Sequence, residues 1–247
     1  MRSSVMSNPV IEIKQLTFGH GHPLTKPVSA TFSQGELIAV AGRNGSGKST
    51  MLHTILGLRA SIAGQIHLMG SEISGMNSQD RARKISAVLT QRFNSAGLSM
   101  FDVAALGRQP YTTGMGRLDN EDRVIVESAL SQMGIDHLSK KRMDEVSDGE
   151  RQKCMISRAL AQDSQVIIMD EPLAFLDFPT KLEVLKLLRE LADEGKTILF
   201  STHELNLISD VVNGVIIFDE NEVIIVKGGA NSIRASLENT FGTLTGK

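Results

Sequence analysis

One glycine-rich stretch constrains the fold and the chemistry of this chain more than any other feature. It reads Gly42-Arg43-Asn44-Gly45-Ser46-Gly47-Lys48-Ser49-Thr50 and fits the phosphate-binding pattern G-x-x-x-x-G-K-S/T. The apolar run before it, residues 36–41, is short enough for a buried strand, and Leu52, Ile55 and Leu56 after it have helical spacing. A strand, a glycine-rich loop and a helix in this order are the context that the pattern requires.

These residue types suit the binding of a nucleoside triphosphate together with Mg²⁺. Glycines let successive backbone N–H groups turn toward the phosphates, and the start of the following helix adds positive potential. We expect Lys48 to reach the β- and γ-phosphates and the Ser49 hydroxyl to bind Mg²⁺. The alternative is a turn that merely happens to contain Lys and Ser, and the flanking strand and helix argue against it.

Composition excludes several other classes of protein. The chain has 247 residues, which is enough for one large α/β domain. Its net charge of -2, with 22% charged residues, provides no overall positive field for nucleic acid. Because no stretch of about 18 residues is uninterruptedly apolar, we predict no membrane span, and any membrane role would need a partner.

The pattern along the chain predicts a single α/β domain over residues 1–247. Residues 10–18 and 28–32 resemble strands of an N-terminal antiparallel β subdomain, and residues 92–162 have a helical texture that predicts a helical insertion. The α/β texture resumes at Gln165, and the segment after Gly228 is weakly patterned. We therefore expect a P-loop core with a mostly parallel sheet.

Polar residues that follow two buried strands are candidates for catalysis. Residues 166–169 form a continuous apolar run, typical of a strand covered on both faces, which ends in Asp170 and Glu171. Asp170 could hold Mg²⁺ through a water, and Glu171 could be the general base for the attacking water. A solvated strand end is the alternative. His203 follows the next buried strand, residues 197–201.

Another segment, Ser147-Asp148-Gly149-Glu150, allows two interpretations that are compatible with each other. Ser-x-x-Glu before an apolar-periodic segment is a capping box, which predicts that a helix starts here. A serine hydroxyl, a glycine N–H and a helix N-terminus also bind anions.

These motifs, in this order, resemble those of the ATP-binding cassette (ABC) ATPase family over nearly the whole chain. The P-loop is followed by a glutamine after a strand (Gln91), by a signature usually written Leu-Ser-Gly-Gly, by the Asp-Glu pair, by a D-loop aspartate and by a switch histidine. The matching residues after Gln91 are Val146–Glu150, Asp170, Glu171, Asp177 and His203, and Phe18 matches the family's adenine-stacking aromatic. A core role for Phe18 is the alternative.

The resemblance implies a mechanism that needs two copies of the chain. Two cassettes pair head to tail, and each ATP lies between one P-loop and the Ser147 and Gly149 of the partner. In the family, the residue matching Gln91 helps to coordinate Mg²⁺, and the one matching His203 contacts the γ-phosphate. The signature departs from the family at Asp148, which replaces a glycine. At roughly 4–6 Å, repulsion between a carboxylate and each phosphate charge could reach about 3–4 kcal/mol before screening.

The run Val103–Thr112 resembles the ALGR-PYT stretch of cassettes that serve importers of iron-siderophore, haem and cobalamin complexes. This resemblance implies an ATPase peripheral to the cytoplasmic face of the inner membrane. Its partners would be integral membrane permease subunits and, indirectly, a substrate-binding protein, with no nucleic acid. The alternatives are an exporter cassette and a non-transport ABC protein acting on ribosomes or DNA. A GTPase is disfavoured because no Asn-Lys-x-Asp motif follows.

Overall fold

The computed structural model of the protein describes residues 9–90, 97–112 and 116–243. They form two compact units, and each has its own packing. The P-loop unit comprises Met1–Met76 and Leu188–Lys247, and the signature unit comprises Asn77–Leu187. No helix in the described ranges is long and apolar enough to cross a bilayer. The predicted insertion at residues 92–162 lies inside the signature unit, and its boundaries stay a prediction.

The P-loop unit contains antiparallel and parallel strands. Its antiparallel sheet has the order β2-β1-β4-β5, with β1 Ile11–Thr17, β2 Val28–Phe32, β4 Ala63–Leu68 and β5 Ser71–Glu72. A central strand, β3 Leu37–Gly42, pairs in parallel with β8 Thr197–Thr202 and β9 Gly214–Asp219, and β10 Glu222–Lys227 forms an antiparallel hairpin with β9. Every residue of β3 and β8 is buried, as the apolar runs predict.

The helices of the P-loop unit are α1 Lys48–Ile55, α7 Leu205–Ile208 and α8 Ala230–Phe241. The last of these was not predicted, because the sequence after Gly228 shows little periodicity. Ile233 and Leu237 of α8 are both fully buried, and their spacing of four residues places them on one face of the helix. Two buried positions are enough to dock this helix but too few to produce a clear periodic pattern.

The signature unit is mainly helical. Its helices are α2 Ser78–Lys84, α3 Met100–Ala105, α4 Asn120–Gln132 and α5 Asp148–Ala161, and α6 Phe178–Asp193 begins in it. Its strands β6 Ile85–Val88 and β7 Val166–Met169 pair in parallel. In α4, Val126 is fully buried, whereas Val124 is 63% exposed.

The ALGR-PYT run has a packing role within the signature unit. A Cβ on Gly107 would lie 2.2 Å from the carbonyl oxygen of Arg158, so only glycine allows α5 to approach this closely. Arg108 forms a buried ion pair with Asp122 at 2.8 Å and donates to the Ala161 carbonyl at 2.9 Å. The Arg108 guanidinium also lies 4.2 Å from the centre of the Tyr111 ring. Gly107, Arg108 and Tyr111 of this run therefore have packing roles within the signature unit.

Candidate functional site

The glycine-rich loop connects β3 to α1, as its sequence predicts. Gly45 and Gly47 have φ angles of 78° and 107°, in the left-handed region that favours glycine. At Gly42, a Cβ would lie 2.8 Å from the Phe218 Cβ, so the strand end is tightly packed. Gly47 also occupies the N-cap position of α1. The glycines thus shape the loop and place the start of α1 at its end.

The polar groups of this loop fit a phosphate ligand. Lys48 is only 6% exposed, and its ammonium donates hydrogen bonds to the carbonyl oxygens of Gly42 at 2.8 Å and Arg43 at 3.1 Å. Ser46 Oγ is buried and has no hydrogen-bond partner among the described residues. Such a hydroxyl is costly to bury unless a ligand satisfies it. Ser49, in the first turn of α1, is exposed and accessible to a cation, and the loop's Arg43, Asn44 and Thr50 are exposed or half-buried.

Phe18 lies in the core rather than on the surface. Its ring is fully buried and makes an edge-to-face contact with Phe218, with 6.1 Å between the ring centres. This placement favours the core role that the sequence left open, and base stacking by Phe18 stays a prediction. His20, two residues later, is exposed, with Nε2 3.5 Å from Thr50 Oγ1 in α1 and Nδ1 3.0 Å from an Arg59 nitrogen. Sequence reasoning missed His20 as a planar group beside this helix.

The two acidic residues after β7 occupy different environments. Asp170 is 3% exposed, and its carboxylate accepts a hydrogen bond from Thr90 Oγ1 at 3.0 Å. Glu171 is half-buried and has a φ of 51°, a conformation that costs energy for any residue but glycine. The two successive side chains therefore differ in exposure, with Asp170 buried and Glu171 partly accessible. Gln91 lies outside the described residues.

His203 follows β8 directly, at the same end of the parallel strands as the loop after β3. Its side chain is 59% exposed, and Nε2 lies 3.9 Å from Glu204 Oε1. The Glu204 N–H donates to Thr202 Oγ1 at 3.0 Å, which turns the chain sharply after the strand. The imidazole is therefore presented to solvent at the strand end.

In the signature unit, the predicted capping box is confirmed. Ser147 is the N-cap of α5; its Oγ accepts from the Glu150 N–H at 3.2 Å, while its N–H donates to Glu150 Oε2 at 2.8 Å. The hydrogen bonds that the Ser147 N–H and hydroxyl donate to Glu150 Oε2 lower the pKa of this carboxyl. The Asp148 carboxylate is separate from the box and forms an ion pair with Arg151 NH1 at 2.7 Å.

A cavity of about 470 Å³ in the signature unit brings three predicted ligand-binding residues together: Ser147, Gly149 and Asp177. Asp177 accepts a hydrogen bond from the Thr180 N–H at 3.0 Å, and hydrogen bonds from Thr180 lower its pKa. Phe175 also lines this cavity and was missed by sequence reasoning. Phe175 is 71% exposed and has a φ of 65°, which is rare for an aromatic residue. This combination of exposure and backbone strain makes it a candidate functional residue, and the sequence gives no sign of either property.

The chain is similar to known proteins in sequence and in fold. The family model described as "ABC transporter" matches residues 25–174. The iron(3+)-hydroxamate import ATP-binding protein FhuC of Bacillus subtilis is 33% identical over 79% of this chain and 74% of its own length. A solved inward-facing structure described as a metal-chelate type ABC transporter has a TM-score of 0.80 at 26% identity, covering 95% of this chain and 89% of that one. A bacterial ABC transporter cassette solved as a dimer has a TM-score of 0.76 at 25% identity, covering 88% and 98%.

Proposed function

The chain belongs to the ABC transporter family as an ATP-hydrolysing cassette, and from this premise we propose that it powers the import of a metal-chelate substrate through permease subunits. The observation that carries the nucleotide chemistry is the P-loop itself. Its buried Ser46 hydroxyl lacks a partner among the described residues, and its Lys48 ammonium faces the loop carbonyls.

In this proposal the P-loop unit binds the triphosphate. The backbone N–H groups of the loop and the Lys48 ammonium neutralise the phosphate oxygens, while Ser46 gains the partner that it lacks. By the family resemblance, Ser49, Gln91 and Asp170 are each proposed as Mg²⁺ ligands, and bound Mg²⁺ would further neutralise phosphate charge. Thr90 keeps the Asp170 carboxylate in one orientation through its hydrogen bond at 3.0 Å.

Glu171 is proposed as the general base and His203 as the residue that contacts the γ-phosphate. Asp170 is buried and Glu171 is partly accessible, which suits a division of roles in which Asp170 binds metal and Glu171 accepts a proton from water. His203 presents an exposed imidazole at a strand end, where it can donate a hydrogen bond to an anion.

A second copy of the chain would complete each site. The cavity with Ser147, Gly149 and Asp177 lies wholly in the signature unit, and the P-loop lies wholly in the other unit. We propose that in a head-to-tail dimer this cavity receives the phosphates bound to the P-loop of the partner. The exposed ring of Phe175 would then be covered.

His20 is proposed to contact the adenine base. Replacing His20 with alanine should weaken ATP binding about 3- to 10-fold, since an aromatic pair contributes about 0.5–1.5 kcal/mol beyond area burial. Phe18→Ala should instead lower the free energy of unfolding by about 3–5 kcal/mol, because its ring is fully buried. Titration with a fluorescent ATP analogue and urea unfolding separate the two effects. Weaker binding by a stably folded F18A, with H20A unchanged, would reverse the assignment.

A groove in the signature unit is the proposed docking surface for a cytoplasmic helix of the permease. Its wall includes apolar side chains and two arginines: Leu98, Phe101, Leu106, Leu118, Arg117 and Arg123. Asp102 also lines the groove, and its carboxylate is already bonded by Ser99 in the capping box of α3. The Arg123 guanidinium lies 6.0 Å from the centre of the Phe101 ring, and neither arginine forms an ion pair with a described residue. The groove therefore suits an amphipathic helix that carries an acidic side chain.

Reversing one charge tests this surface. We expect Arg123→Glu to reduce co-purification of the permease by about 10-fold or more, because like charges would then face each other. The ATPase activity of the isolated cassette should not change. Lys140→Glu, at an exposed position in the same unit, is the matched control. Equal loss of the permease in both variants would indicate a general charge effect rather than docking at this groove.

The substrate class is tested with the assembled transporter in lipid vesicles. The chain and its permease would be reconstituted, and ATP hydrolysis would be measured with binding protein loaded with ferric hydroxamate, haem or cobalamin. We expect one metal chelate to stimulate hydrolysis and to accumulate inside the vesicles. Export of the substrate, or stimulation only by a substrate that is not a metal chelate, would overturn the proposed class while leaving the ATPase assignment intact.

A further inference from the structure

The cavity of the signature unit is lined by several acidic residues. This is unexpected for a surface that would receive phosphates, because like charges repel. Three acidic residues line the cavity, Asp148, Glu150 and Asp177, together with His137 and Lys153. Glu150 is engaged in the capping box and Asp177 caps α6 through the Thr180 N–H. Neither carboxylate can turn freely. Asp148 has no capping role, so its orientation depends on another contact.

Arg151 supplies that contact. Arg151 Nη1 donates to Asp148 Oδ1 at 2.7 Å, and Arg151 Nε donates to the Met143 carbonyl at 2.6 Å. The planar guanidinium is thus fixed by two hydrogen bonds in different directions. Asp148 lines the cavity but Arg151 does not. The guanidinium that binds the Asp148 carboxylate is thus held at the carbonyl of Met143, a residue that does not line the cavity either.

We propose that Arg151 is a positioning residue for nucleotide-driven dimer closure: it keeps the Asp148 carboxylate neutralised and turned away, so that the phosphates bound to a second copy can enter the cavity. The proposal rests on the proposed function. A carboxylate freed from Arg151 could rotate into the cavity, where it would repel the phosphates at short range. Arg151 should matter for closure only while residue 148 is an aspartate.

A double-mutant cycle tests this dependence. Arg151→Gln, Asp148→Gly and the double variant would be made in the Glu171→Gln chain, and the ATP concentration that gives half-maximal dimer would be measured by light scattering. We expect R151Q to raise this concentration about 10-fold when Asp148 is present and about 2-fold or less in the D148G background. Arg151→Lys should recover most of the loss, because it keeps a positive charge near Asp148.

Two further measurements separate this role from a structural one. Binding of a fluorescent ATP analogue to the monomer should be similar in all variants, because the altered residues lie outside the P-loop unit. Thermal unfolding should also be similar, because the Arg151–Asp148 pair is exposed and such pairs contribute little to stability. An equal effect of R151Q in both backgrounds would show that Arg151 acts only through the Met143 carbonyl, and would overturn the proposal. Failure of the Glu171→Gln chain itself to dimerise with ATP would overturn the proposed dimer site as well.

Discussion

Replacing Glu171 with glutamine should lower the rate of ATP hydrolysis about 100- to 10,000-fold, the contribution of a positioned general base. ATP binding should remain near the wild-type level, because Lys48 and the loop are unchanged. Glutamine has the shape of glutamate and should adopt the same left-handed backbone conformation, with φ near 51°. The turn after β7 should therefore be unchanged. With chemistry blocked, a dimer that ATP closes should accumulate.

Steady-state phosphate release measures the rate of hydrolysis, and size-exclusion chromatography with ATP measures the fraction of dimer. Glu220→Gln is a matched control, since Glu220 is exposed and also has a positive φ, of 44°. It should leave both the rate and the monomer–dimer equilibrium unchanged. Turnover by E171Q at the wild-type rate would remove Glu171 as the base and would move that role to another group.

Lys48→Ala should weaken ATP binding about 10- to 150-fold, because a hydrogen bond to a charged group contributes about 1.5–3 kcal/mol. Lys48 is 6% exposed and its ammonium donates to the Gly42 carbonyl at 2.8 Å, so it is already positioned inside the loop. Its loss removes positive charge from the site and also removes the donor for two loop carbonyls. Hydrolysis should fall by more than binding, since the transition state also develops charge on the phosphates.

Equilibrium titration with a fluorescent ATP analogue gives the dissociation constant, and thermal unfolding without nucleotide reports any loss of fold. Lys26→Ala is the control, because Lys26 is an exposed lysine of the same unit that forms an ion pair with Glu222. Wild-type affinity in a folded K48A variant would contradict the assignment of the loop as the triphosphate site.

Local sequence patterns predicted most elements and part of the site correctly. The apolar runs became the buried strands β3, β7 and β8, since a strand covered on both faces needs apolar side chains throughout. The Ser147 capping box was predictable because its partners lie three residues apart. Helix α8 was missed, because only Ile233 and Leu237 among its side chains are fully buried.

By itself, the sequence determined the P-loop, the strand ends and the order of the motifs, because these depend on neighbours a few residues away. Tertiary structure alone decided which aromatic side chain is buried: Phe18 meets Phe218 across the fold, and His20 is left at the surface. Only the tertiary structure shows that α5 packs so closely against Gly107 that no Cβ would fit there. Such contacts join residues that are distant in the chain, and no local periodicity encodes them.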